Sequence, residues 1–295
     1  CSSGLPGNPI APATTDEMGR FTLENVPDGP NIPVVITIGK WRRQLKLTNV
    51  APCSTQQLDA VDTALPKSRD DVSPNTTSVD MPQIAISTGS ADALECLVRR
   101  LGIADKEITT DTQGGKIHLF ADTQAIQGPN GVGVKNFDLG FGGGLGNFND
   151  SQTLWGNATN PGKLSDYDIV ILSCETAQHA ETKPQQAMDN LKAYADLGGR
   201  VFLSHWHNIW ITGSTQAPTN GAKPAVWSDM SNMEPMIATF TDNTILSDGT
   251  VDTIDEDPRN NPKGMSFASW MLNVGGSSAR GIVPIQDKTG KQTCH

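Results

Sequence analysis

The segment from Asp168 to Ser204 constrains the fold more than any other part of the chain. Asp168-Ile-Val-Ile-Leu-Ser173 is a short, nearly unbroken apolar run of the length of a buried strand. Pro184 to Leu197 follows as a helix stopped by Gly198-Gly199, and Arg200-Val-Phe-Leu-Ser204 is the next strand. Two strands joined by one helix and short turns make a right-handed crossover unit, so they run parallel. A parallel sheet needs helices over its faces, which commits this region to an α/β architecture.

The same alternation reaches back to residue 83. Gln83-Ile-Ala-Ile-Ser87 reads as a strand, and Ala91 to Leu101 as a helix with Leu94, Leu97, Val98 and Leu101 at helical spacing. Ser90 stands in an N-cap context, Asp92 and Glu95 favour the positive end of the helix dipole, and Gly102 ends it. Lys116-Ile-His-Leu-Phe120 is the next strand. A glycine-rich stretch from 128 to 149 lacks the order of a dinucleotide loop and reads as a surface loop or lid. Short helices are expected at Glu234–Phe240 and Gly264–Val274, and a terminal hairpin from Gly281–Ile285 and Lys291–Cys294. Upstream, Gly19–Leu23, Ile32–Ile38 and Gln44–Thr48 are short alternating or β-branched runs separated by turn residues, the pattern of a small antiparallel β-domain. The expected class is therefore α/β with an additional small all-β domain. Residues 1–66 form a β-sandwich that is incomplete at its start, 67–82 a Pro-punctuated linker, and 83–295 an open, mostly parallel, three-layer α/β domain.

Charge and hydropathy exclude two classes of partner. The net charge is −10, with no basic tract to neutralise phosphates, so nucleic acid is not expected. No run of 18 apolar residues exists to form a transmembrane segment. Only 18% of residues are charged, and 29 Gly and 19 Pro point to a loop-rich protein of secreted type.

The five cysteines, at 1, 53, 96, 174 and 294, include no C-x-x-C pair, which removes zinc-knuckle and thioredoxin-type motifs. Cys1-Ser-Ser-Gly opens the chain as lipid-anchored bacterial proteins open after signal removal. The competing reading, a piece of a longer chain, is favoured by the missing first strand. On that reading Cys1 and Cys294 have partners outside the sequence, and a Cys1–Cys53 pair is the alternative.

Three resemblances carry further expectations. Asp16-Glu-Met-Gly-Arg-Phe-Thr-Leu-Glu-Asn-Val-Pro-Asp-Gly29 resembles the carboxypeptidase regulatory-like domain, a transthyretin-like sandwich that serves secreted and surface proteins as an accessory module without catalytic residues. Leu164 to Glu175, with Gly198-Gly-Arg-Val-Phe-Leu-Ser-His205, resembles the class I glutamine amidotransferase-like fold, especially its trehalose-utilisation-type branch. That resemblance implies a nucleophilic Cys after the second strand, where this chain has Ser204 and His205, so amidotransferase activity is not expected. The chain as a whole resembles large secreted myxobacterial proteins through Ile32-Pro, Gly39-Lys-Trp-Arg-Arg43, Asp92-Ala-Leu-Glu-Cys96, Arg99-Arg-Leu-Gly-Ile103 and Ser204-His-Trp-His207, which implies an extracellular setting.

The residues that could carry chemistry gather at the carboxyl ends of the strands, where open α/β sheets place ligands. Cys174 and Glu175 leave one strand there, and His205 and His207 the next. His-x-His on an extended segment would turn both imidazoles to one side, so with Cys174 or Glu175, and His179 nearby, they are candidate ligands for a divalent metal such as zinc. The alternative is a buried, inert Cys174 with histidines bonded to loop backbone. Asp252, Asp255, Glu256 and Asp257 are oxygen donors for calcium in an order that is no EF-hand, or else a solvated acidic loop. Trp41, Arg42 and Arg43 are candidates for binding an anionic glycan through cation–π and bidentate contacts, or for an internal contact.

The expected function is a secreted or cell-surface binding or structural protein of an extracellular assembly, with a degenerate amidotransferase-like domain. Its expected partners are other extracellular proteins, a surface glycan or further copies of itself. The alternative is a metal-assisted extracellular hydrolase using His205 and His207 with Cys174 or Glu175.

Overall fold

The computed structural model describes residues 8–122, 134–213 and 251–284. The chain divides into two compact units, one of residues 1–32, 48–56 and 242–291, the other of 33–47, 57–241 and 292–295. Its class is α/β with a small all-β part.

The all-β part is a three-stranded sheet in the order β1 (Gly29–Ile38), β2 (Trp41–Val50), β3 (Thr76–Asp80). Gly39 and Lys40 form the tight connection between β1 and β2, with Gly39 at a φ of +59° that favours glycine. β3 pairs antiparallel with β2, Arg43 lying opposite Val79. It falls inside the segment 67–82 expected as a linker. Its β-branched Thr76, Thr77 and Val79 complete a sheet that the proline punctuation around them had concealed. Gly19–Leu23, expected as a strand, is irregular because Asp16 draws the chain into a turn. Its carboxylate accepts the N–H groups of Met18 and Arg20, each at 2.9 Å, and the Arg20 side chain as well.

The parallel sheet contains β4 (Ile84–Ser87), β5 (Ile108–Thr109), β6 (Ile117–Ala121), β7 (Asn149–Asp150), β8 (Ile169–Leu172) and β9 (Arg200–Leu203). Its order is β5-β6-β4-β8-β9, with β7 also on β6, and every pairing is parallel. The predicted crossover unit is thus present as β8, helix α2 (Gln185–Asp196) and β9. The earlier helix, α1, is shorter than expected and spans Glu95–Arg100.

Period-2 alternation along the strands divides the core in two. Ala85, Phe120, Val170 and Leu172 face one side with Ala187, Met188 and Leu191 of α2. Ile84, Ile86, Ile117 and Leu119 face the other with Val98 of α1 and Ile108, and Ile169 and Ile171 pack against them. Each Val, Leu, Ile, Phe or Met side chain fully removed from water contributes about 1.5–3 kcal/mol, which holds the strand ends rigid where the polar residues emerge. The chain runs from β4 to one side into β6, then crosses to the other side into β8, so the order reverses between β4 and β8. That reversal is the position at which open α/β sheets form a ligand crevice.

The glycine-rich stretch, where described, is a mostly exposed surface loop, with only Gly144 and Phe148 buried and a close backbone approach at Gly143. A Cβ on Gly143 would stand 2.2 Å from the Asp105 carbonyl oxygen. Helix α3 (Gly264–Asn273) matches the expected helix, and β10 (Val251–Thr253) pairs antiparallel with β11 (Ile282–Pro284). The expected helix at 234–240 and strand at 291–294 lie outside the described residues. Among the described residues no helix is long and apolar enough to cross a membrane.

Candidate functional site

The carboxyl ends of β4 and β8 meet through a close backbone approach at Gly89. A Cβ there would lie 2.5 Å from the Cys174 carbonyl oxygen and 2.8 Å from Ser173 Cβ, so only glycine lets the two strand ends close. Past Gly89 the chain presents Asp92 to the ends of β8 and β9. Its Oδ2 accepts the Cys174 N–H at 3.3 Å and the hydroxyl of Ser204, the residue that follows β9. One carboxylate thereby ties together the ends of β8 and β9.

Backbone strain concentrates at the same place. Outside glycine and asparagine, left-handed φ values among the described residues occur at Cys53, Thr176 (+66°), His179 (+44°) and His205 (+39°), and the last three surround these strand ends. Thr176 is β-branched, for which this region is an outlier. Strain of this kind costs about 1–3 kcal/mol per residue and persists where surrounding structure enforces it, commonly at functional sites.

Behind the strand ends lies a buried ionic group. Glu175 is 1% exposed and Lys183 is fully buried, with Nζ 2.5 Å from Glu175 Oε2 and 5.2 Å from the Trp155 ring centroid. Burial by itself would raise the Glu175 carboxyl, but the charge and hydrogen bond of Lys183 bring it below the ordinary range. Burial pushes the His207 imidazole down to about 3, so it is neutral. The Trp210 indole N–H donates to its Nδ1 at 2.9 Å, and its Nε2 stands 3.8 Å from Glu175 Oε2. On the β4 side, Glu95 is buried and its carboxyl is pushed up to about 7 by burial, helped by Asp122 and Asp92. Glu95 stands in the first turn of α1, as its place in the sequence indicates, whereas Asp92 lies before the helix and Ser90 does not cap it, because the helix starts at Glu95 with Leu94 at its N-cap.

The two histidines expected to converge diverge instead. Residues 205–208 form a single 3₁₀ turn rather than an extended segment. At three residues per turn, positions two apart point about 240° from one another. His207 accordingly enters the interior, while His205 stays exposed with Nδ1 3.4 Å from Cys174 Sγ. His179 holds a third place, its Nδ1 3.1 Å from Glu181 and its Nε2 3.1 Å from the Glu175 carbonyl oxygen. Among the described residues no group of three or more His, Cys, Asp or Glu is positioned to hold a metal ion, so the expected cluster of His205, His207 and His179 with Cys174 or Glu175 does not assemble. The acidic loop is likewise committed elsewhere. Glu256 pairs with Arg280, Asp257 with Arg259, and Asp255 accepts the Asp257 N–H.

Cys174 is 1% exposed, and burial raises its thiol pKa against the opposing hydrogen bonds from the backbone N–H groups of Trp206 and Thr176. Cys53 and Cys174 are free and Cys96 is disulfide-bonded, so the Cys1–Cys53 alternative is not realised.

Trp41, Arg42 and Arg43 do not form one surface. Trp41 donates its indole N–H to the Pro66 carbonyl at 2.7 Å. Arg43 is buried and spends its guanidinium on the carbonyls of Ala64 and Asp71, the Thr76 hydroxyl and the Asp71 carboxylate. Arg42 alone stays at the surface, paired with Asp80 at 2.5 Å, and borders a cavity of about 440 Å³ with Lys40, Lys116 and Asp168.

No protein-family model matches this chain, and neither a curated protein nor a solved structure matches it.

Proposed function

We propose that this chain is a secreted or cell-surface binding protein that receives its ligand at the carboxyl edge of the parallel sheet, between β4 and β8. The observation that carries this reading is the coincidence of strain and topology. Thr176, His179 and His205, all left-handed, ring the strand ends at the point where the sheet order reverses. The buried Glu175–Lys183 pair supports it, since two desolvated charges add little to stability compared with an apolar pair of the same volume. The disulfide at Cys96 supports the extracellular setting, because disulfides persist in oxidising compartments. The regulatory-like β-module, the degenerate amidotransferase-like domain and a place in a bacterial surface assembly belong to the same proposal. They rest on the sequence resemblances above.

The test is thermal unfolding against a panel of surface-polysaccharide fragments and extracellular peptides. A ligand at about 100 times its Kd adds about 2.7 kcal/mol, a rise of several degrees in Tm. The reading expects such a rise in the wild type and its loss in Asp92→Asn. A panel without a stabilising member, or one that stabilises Asp92→Asn equally, contradicts it.

A further inference from the structure

The thiol of Cys174 and the imidazole of His205 face each other from the ends of adjacent parallel strands, Sγ to Nδ1 at 3.4 Å. That is within reach of proton transfer between a nucleophile and its base. The sulfur also accepts the backbone N–H groups of Thr176 and Trp206, which come from the two loops that follow β8 and β9. Paired backbone donors of this kind stabilise a sulfur that becomes negative. Asp92 holds both loops to one carboxylate through Cys174 N–H and the Ser204 hydroxyl. Cys174 is buried and neutral at rest beneath an exposed His205, so the imidazole both covers the thiol and is the group an arriving ligand meets first.

We propose that Cys174 and His205 form a nucleophile–base pair that accepts an acyl group from an activated ester or thioester. This rests on the reading of the carboxyl edge as the ligand site. In the step, the thiol proton passes to His205 Nδ1 and Sγ attacks the acyl carbon. The new C–S bond replaces the C–O or C–S bond to the leaving group, which departs with the proton from the imidazolium. Water then cleaves the acyl-enzyme to a carboxylic acid and the free thiol, with His205 taking the water proton and returning it to sulfur. Nothing is oxidised or reduced. The nucleophile stands on the strand before the one that the amidotransferase resemblance indicates, so the pair is a separate arrangement. His205, Asp92 and Glu175 are the titratable groups that face the thiol.

The experiment treats the whole chain with p-nitrophenyl acetate and follows acetylation of each cysteine by peptide mass spectrometry across pH. Cys53, free and exposed, serves as the internal reference thiol. The proposal expects Cys174 to be acetylated faster than Cys53. His205→Ala should slow it by about 100-fold, remove the acidic limb of its pH profile and leave Cys53 unchanged. Slower acetylation at Cys174 than at Cys53 overturns the proposal in the wild type alone, so the test survives a variant that fails to fold. Equal rates and equal pH profiles in wild type and His205→Ala overturn it too. Ligand stabilisation without acetylation at Cys174 overturns this pair while leaving the binding site standing. Failure of both removes the site itself.

Discussion

Lys183 Nζ lies 2.5 Å from Glu175 Oε2 with both side chains withdrawn from water, and the Trp155 ring takes up the far side of the ammonium. A buried pair of this kind is asymmetric in its energetics. Replacing both charges by apolar groups of similar volume is often neutral or stabilising, whereas removing one leaves the other charged and unsolvated, at about 3–5 kcal/mol. Lys183→Met should therefore be destabilised by about that amount, and Glu175→Leu/Lys183→Met should recover most of it. Urea unfolding of the two proteins measures the difference. A single variant as stable as the double would show that the pair is solvated.

Glu95 gives the fold a pH dependence whose sign follows from its surroundings. Its carboxyl is pushed from an ordinary 4.5 to about 7, chiefly by burial and then by Asp122 and Asp92. Between those two values the folded chain holds a proton that the unfolded chain has released. Stability therefore falls as pH rises from 4.5 to about 7 and levels off above it. The full effect is on the order of 3 kcal/mol. Glu95→Gln, neutral at every pH, should gain on the wild type near pH 8 and match it within about 1 kcal/mol near pH 4. Parallel stability curves for the two proteins would contradict this.

Gly89 is where the crevice depends on the absence of a side chain. A methyl group there meets the Cys174 carbonyl oxygen at 2.5 Å, and that carbonyl is fixed by its bond from the Ala91 N–H at 3.0 Å. Gly89→Ala should cost about 1–3 kcal/mol and weaken ligand binding beyond what its stability loss explains. Unchanged Tm and affinity would mean that the two strand ends move apart freely.

Arg42 and Arg43 are neighbours in sequence with opposite roles. Arg43 is buried among four acceptors, and Arg42 lies on the surface against Asp80. Arg43→Met should cost about 3–5 kcal/mol by stranding those acceptors, including the Asp71 carboxylate. Arg42→Met should cost less than about 1 kcal/mol. Chemical denaturation distinguishes them, and equal small effects would return Arg43 to the list of surface binding residues.

The parts of this fold that were legible in the sequence are those where one periodicity dominates. Asp168–Ser173 and Pro184–Leu197 announced the crossover because an apolar run of strand length and a 3.6-residue period cannot be exchanged. Cys174 and His205 were placed at one edge because parallel strands put their carboxyl ends together. What was not legible depends on tertiary packing. The divergence of His205 and His207 follows from a 3₁₀ turn that local residue types do not specify. Lys183 carried no signal, since burial of a lysine is visible only with Glu175 and Trp155 around it. β3 was hidden between Pro74 and Pro82 because an edge strand five residues long takes its stability from its partner, β2.

The account turns on where a ligand sits. The direct measurement is the assigned ¹H–¹⁵N spectrum of the chain titrated with the most stabilising ligand of the panel. The account predicts shift changes at Thr88–Asp92, Ser173–Thr176 and Ser204–His207. Changes confined to Lys40, Arg42 and Lys116 would place binding in the cavity those residues border and contradict a site at the carboxyl edge.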